Sequence, residues 1–119
     1  MITFTIPGHP VPKQRPRLGY KGRRAYIYTP EETRRYEEKV HLLAKAATDG
    51  PLKVPVVVRL KVYLGPRKRK GPDLDNIVKS ILDGMNGAIF EDDRQVYQIY
   101  AELVQDGEER VQVEVEELI

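Results

Sequence analysis

At 119 residues the chain has the length of one domain, 1–119, able to bury a single core without staples. It has no cysteine, which excludes disulfides and thiolate metal sites, and no apolar run near the roughly 20 residues of a membrane span. The net charge of +2 is unevenly spread: residues 1–90 carry 18 Lys and Arg against 8 Asp and Glu, a net of +10, and residues 91–119 carry 2 against 10, a net of −8.

The first ten residues, MITFTIPGHP, have neither the basic start nor the apolar stretch of a signal peptide, so the expectation is a soluble cytoplasmic protein with no membrane partner. Ile2, Phe4 and Ile6 alternate with threonines and predict a half-buried strand over 2–7. Residues 7–16 hold four prolines and Gly8, an extended segment without helix. A short strand is expected at 24–29, with Tyr26 and Tyr28 on one face as core or sheet-surface residues, base stacking being the lesser alternative. Thr29 as N-cap, Pro30 at the first helical position and Glu32 completing a capping box open a first helix. Tyr36, Val40, Leu43, Ala44 and Ala47 form its buried stripe, and Gly50-Pro51 ends it.

Val56 to Leu64 is the strongest strand pattern, with Val58, Leu60, Val62 and Leu64 on one face and Val57, Arg59, Lys61 and Tyr63 on the other. A second helix starts near Asp73, buries Ile77, Val78, Ile81, Leu82 and Met85, and ends at Asn86-Gly87. Two strands come next, at about 96–104 and 110–117, and Asp106-Gly107 between them reads as a hairpin turn. The order β, β, α, β, α, β, β implies an α+β fold, a small mixed sheet with two main helices packed on it.

Two basic clusters stand out: Lys13, Arg15, Arg17, Lys21, Arg23 and Arg24, and then Arg67, Lys68, Arg69 and Lys70. Singly such residues are solvated surface; two dense clusters point to a phosphate-rich partner. Directly after the second comes an acidic block, GPDLDNIVKSILDGMNGAIFEDDRQ. Asp75, Lys79 and Asp83 share one helix face, and Asp73 stands at the helix start. If the segment after Gly87 turns back along the helix, Asp92 or Asp93 meets Asp73 and Asp75. Carboxylates crowded in this way repel unless a cation neutralises them. Hard oxygen ligands without His or Cys select magnesium, manganese or calcium. Such a cation activates water and steadies charge on phosphoryl oxygens, and a lysine one turn away offsets further charge. Each acid also has an ordinary reading. Asp73 suits a helix N-cap, Asp75 and Lys79 an i,i+4 ion pair, Asp83 a structural partner for Lys79, and Asp92-Asp93 an acidic turn before a strand. Neither His9, in the proline-rich segment, nor His41, on the first helix, reads as a ligand.

Residues 72–96, PDLDNIVKSILDGMNGAIFEDDRQV, resemble the signature of the RusA family of Holliday-junction resolvases of bacteria and their phages. That signature runs Pro-Asp-x-Asp-Asn, a lysine four residues after the second aspartate, Asp-x-Leu-Asn-Gly, and Asp-Asp-x-Gln before an apolar residue. Met85 replaces the usual leucine, an apolar exchange. IPGHPVPKQRPR is similar to the family's first strand and its Pro-x-Pro-Lys-x-Arg-Pro-Arg segment. The resemblance implies a magnesium-dependent endodeoxyribonuclease, with manganese as a substitute, that resolves four-way DNA junctions by paired symmetric nicks in recombination and repair. It implies a homodimer, bacterial or phage-derived. It carries the catalytic role to Asp73, Asp75, Asp93 and Lys79, and the metal to Asp73, Asp75 and Asp93, with Asp92 as a further candidate and Asp83 in support. DNA contacts fall to Lys13, Arg15, Arg17 and Arg67, Lys68, Arg69 and Lys70. A non-catalytic branched-DNA binding protein, or a nuclease for other branched DNA, is the competing reading. The acidic strands after residue 100 are expected to face away from DNA.

Overall fold

The computed structural model describes residues 1–66, 73–105 and 107–118. In chain order it contains β1 (Ile2–Pro7), β2 (Arg17–Lys21), β3 (Arg24–Tyr28), α1 (Glu31–Ala46), β4 (Val56–Leu64), α2 (Leu74–Met85), a single 3-10 turn (Asp93–Gln95), β5 (Val96–Gln105) and β6 (Arg110–Glu117). The apolar residues of β4 and the alternating buried valines of β6 set the main sheet, whose order is β1-β6-β4-β5. β5 runs parallel to β4, and the other pairs are antiparallel. Val58, Leu60, Val62 and Leu64 of β4 join Tyr36, Val40 and Ala44 of α1 and Ile77, Ile81 and Met85 of α2 in one core. Fully burying each of these large side chains contributes about 1.5–3 kcal/mol. The result is the expected α+β fold, two main helices on a mixed sheet. Among the described residues no helix is long and apolar enough to cross a membrane.

Three expectations are corrected. β5 and β6 do not form a hairpin: β4 lies between them, parallel to one and antiparallel to the other. β4 is buried on most of both faces, and a strand so apolar takes the centre of the sheet. Asp106, half of the expected turn, lies outside the described residues. An additional strand, β2, pairs with β3. Lys21 faces Arg24 across Gly22-Arg23, and only Gly22 has a positive φ (64°), as a two-residue type II′ turn requires. Finally, α1 has no capping box. Pro30 holds the cap position without a side-chain capping bond, and the helix ends at Ala46, ahead of Gly50-Pro51.

The proline-rich segment lies along the seam between α1 and α2. The Lys13 N–H donates to the Asn76 carbonyl (2.8 Å), and the buried Ser80 hydroxyl donates to the Val11 carbonyl (2.7 Å). The Gln14 N–H donates to the buried Thr33 hydroxyl (3.3 Å). Prolines offer few backbone donors, so small polar side chains on the helices complete the pairing. The helices approach closely at Gly84, where an added Cβ would stand 2.7 Å from Val40 Cβ.

Candidate active site

α2 carries the acidic residues along its length. At its start Asp73 occupies the N-cap position, yet its side chain makes no capping bond. Its carboxyl instead meets the Asp75 carboxyl and accepts from the Asn76 amide (2.5 Å). Contact with Asp75, then the Asn76 hydrogen bond, hold Asp73 below the usual carboxylate range. Both aspartates are exposed. The ordinary reading of Asp73 as a side-chain helix cap is therefore not realised. Lys79, one turn beyond Asp75, is also exposed, and among the described residues it makes no ion pair with Asp75 or Asp83.

The other end of α2 is built differently. After Gly87, in the left-handed region at φ 81°, the chain folds tightly: Gly87 N–H donates to the Phe90 carbonyl, and Phe90 is fully buried. Asp92 caps the 3-10 turn by accepting from the Arg94 N–H (3.0 Å). Gln95 clamps the same turn. Its Oε1 accepts from the Glu91 and Asp92 N–H groups, and its Nε2 donates to the Leu52 and Val54 carbonyls. Asp93 is held exposed on this turn, and its carboxyl is pushed up, first by Asp92, then by slight burial, with Asp83 adding to the effect. Asp92 thus serves as the acidic turn residue weighed from sequence. The positioning role of Gln95 was missed; its signal was the Asp-Asp-x-Gln spacing, a capping box in which Gln supplies the return bond.

Asp73 and Asp75 stand at one end of α2, and the Asp92–Asp93 turn comes after the other. Twelve helical residues span about 18 Å. Among the described residues no three His, Asp or Glu side chains come together to hold a metal ion. The segment after Gly87 therefore does not bring Asp93 into one group with Asp73 and Asp75. The physical reason is the parallel crossover: α2 returns the chain from the end of β4 to the start of β5, so the segments flanking the helix on either side are drawn apart. The Asp73–Asp75 pair alone fits magnesium, which takes one or two carboxylates and fills its remaining positions with water and substrate phosphate.

The basic residues divide as well. Lys13 is drawn inward: its ammonium meets Glu37 (2.5 Å) and Asp83 (3.1 Å), and its side chain is only 19% exposed. Burial alone would lower its pKa, but the two carboxylates outweigh this and hold it above its ordinary value. The partner of Asp83 is therefore Lys13, not Lys79, and the Lys13 charge ties the N-terminal segment to both helices. Arg15 and Arg17 are exposed and make no ion pair among the described residues. Arg67, Lys68, Arg69 and Lys70 lie outside the described residues. His41 is structural, its Nδ1–H donating to the Gly84 carbonyl (2.9 Å).

The family model of the endodeoxyribonuclease RusA matches residues 7–116, spanning the proline-rich segment, both helices and the acidic block. The chain belongs to the RusA endodeoxyribonuclease family. It is also similar to the uncharacterized protein YqaN of Bacillus subtilis (strain 168), 28% identical with 98% of this chain and 96% of that protein covered. Membership brings nuclease activity at the level of the family. In this RusA-family chain the motif aspartates sit in two pairs, one free at the start of α2 and one built into a turn.

Proposed function

We propose that the protein is a magnesium-dependent endodeoxyribonuclease that resolves four-way DNA junctions as a homodimer in recombination and repair. The observation that carries this reading is the exposed Asp73–Asp75 pair, without capping or ion-pair duties among the described residues, in a chain of an endodeoxyribonuclease family. A junction has two-fold symmetry, and a two-fold dimer supplies two sites at fixed separation for two related nicks.

In this reading Asp73 and Asp75 would hold the cation, with Asp93 the third ligand that the motif assigns to it. Bound there, magnesium supplies Lewis-acid stabilisation of the phosphoryl oxygens and a nucleophile at neutral pH. Lys79, an exposed ammonium one turn from Asp75, offsets the charge that develops on the phosphate. Arg15 and Arg17, with Arg67, Lys68, Arg69 and Lys70, contact the sugar-phosphate backbone and position the junction without reading sequence. The products are a 5′-phosphate and a 3′-hydroxyl.

The deciding experiment uses the Asp75→Asn protein and a synthetic junction. The variant is expected to shift the junction on a gel at low salt and to leave it uncut with magnesium. Full cleavage would remove Asp75 from the site. Wild-type protein that binds without cutting at any pH would favour a non-catalytic branched-DNA binding protein, and a panel of forks, flaps and junctions separates a junction resolvase from a nuclease for other branches.

A further inference from the structure

The hairpin β2–β3 is a two-stranded ribbon outside the main sheet, and every residue in it is exposed except the half-buried Gly19. Its register puts Arg17 opposite Tyr28, Gly19 opposite Tyr26 and Lys21 opposite Arg24, so these six share one face. Tyr26 lies across the empty position at Gly19, where an added Cβ would meet the ring at 2.7 Å. Tyr28 comes next, with its ring centroid 5.7 Å away and tilted by 42°. The two rings are 49% and 41% exposed.

Two further observations say what meets these rings. Residues 1–30 contain six Lys and Arg and no Asp or Glu. Of these, Arg15, Arg17, Lys21, Arg23 and Arg24 make no ion pair among the described residues. Beside the rings a groove is lined by Thr29, Glu31, Arg34 and Glu37.

We propose that Tyr26 and Tyr28 form a stacking platform for an unstacked base of the branched DNA strand, the cations around them holding the adjoining phosphates. The platform rests on the nuclease reading for its substrate. Cations set beside exposed rings suit a single-stranded stretch, because every base has a π-face and every linkage a negative charge. Unstacked bases occur where a junction exchanges strands, so the platform selects branch points over continuous duplex.

The test compares Tyr26→Ala/Tyr28→Ala with Tyr26→Phe/Tyr28→Phe in the full chain, using a junction carrying 2-aminopurine at the branch. The chain has no tryptophan, so tyrosine emission is an independent readout. The alanine pair is expected to weaken junction binding roughly tenfold or more. It should abolish the change in 2-aminopurine emission and leave the salt dependence of binding intact, because no phosphate contact is lost. The phenylalanine pair should keep wild-type affinity. Unchanged affinity in the alanine pair, or an equal loss in the phenylalanine pair, overturns the platform. Wild-type protein that quenches but never nicks with magnesium would sink the nuclease reading and leave the platform standing.

Discussion

The two ends of α2 carry the same residue type in opposite circumstances. Asp92 and Asp93 belong to a turn that the chain has built with care. One carboxylate caps it, Gln95 clasps it with four hydrogen bonds, and the neighbouring acids push Asp93 up. Asp73 and Asp75 take no part in capping their helix, and contact between them and with Asn76 holds Asp73 low. An acidic residue that the fold does not use is the one available for chemistry. The difference separates a carboxylate that caps a turn, Asp92, from carboxylates that neither cap nor ion pair engages, Asp73 and Asp75, which residue type alone does not do.

The largest expected effect lies at the first end. Asp75→Asn should lower magnesium-dependent nicking by about a thousandfold, in keeping with the several kcal/mol a metal contributes, with the melting temperature unchanged. A large loss of stability instead would show that this pair is structural and would erase the contrast. At the second end the pattern should reverse. Gln95→Ala strands backbone groups around the turn and should cost about 1–3 kcal/mol of stability in denaturant titration. Between the ends, Gly84→Ala forces a Cβ against Val40 and the Glu37 carbonyl and should cost about 1–3 kcal/mol of overpacking. Nicking by the folded fraction should fall only if the helix seam also orients Asp93.

The smallest effect is a pair of titrations. Asp73 is lowered from its ordinary 3.8, so its stabilising contribution is present above 3.8 and lost as pH falls through its folded value. Asp93 is raised, so its contribution is present below 3.8 and lost as pH rises through its folded value. Carboxyl 13C shifts tracked from about pH 2 to about pH 6 should therefore show Asp93 taking its proton before Asp73 on acidification. The reverse order would contradict the geometry of both pairs. A further check concerns the core between the ends. Tyr36 is buried and its hydroxyl has no partner among the described residues, so its pKa is pushed above the ordinary 10 by desolvation. Tyr36→Phe should stabilise the protein by about 1 kcal/mol without touching activity.

Much of this was legible in the sequence because it depends on local periodicity. The alternation from Val56 to Leu64, the stripe from Ile77 to Met85 and the acidic block were all visible, and the motif spacing led to the family. β2 was missed because RLGYK has only Leu18 and Tyr20 in alternation and buries neither. The Asp106-Gly107 turn misled because a turn signal says that the chain reverses and not which strand it reverses onto.

What the sequence determined by itself was therefore the set of elements and the residues with unused chemistry. Tertiary structure alone decided where they stand. It put β4 between β5 and β6, because the most apolar strand must lose the most contact with water. It made Lys13 a tether, because Glu37 and Asp83 come from two helices that meet only after packing. And it drew the aspartate pairs apart, because a helix joining parallel strands separates its own ends.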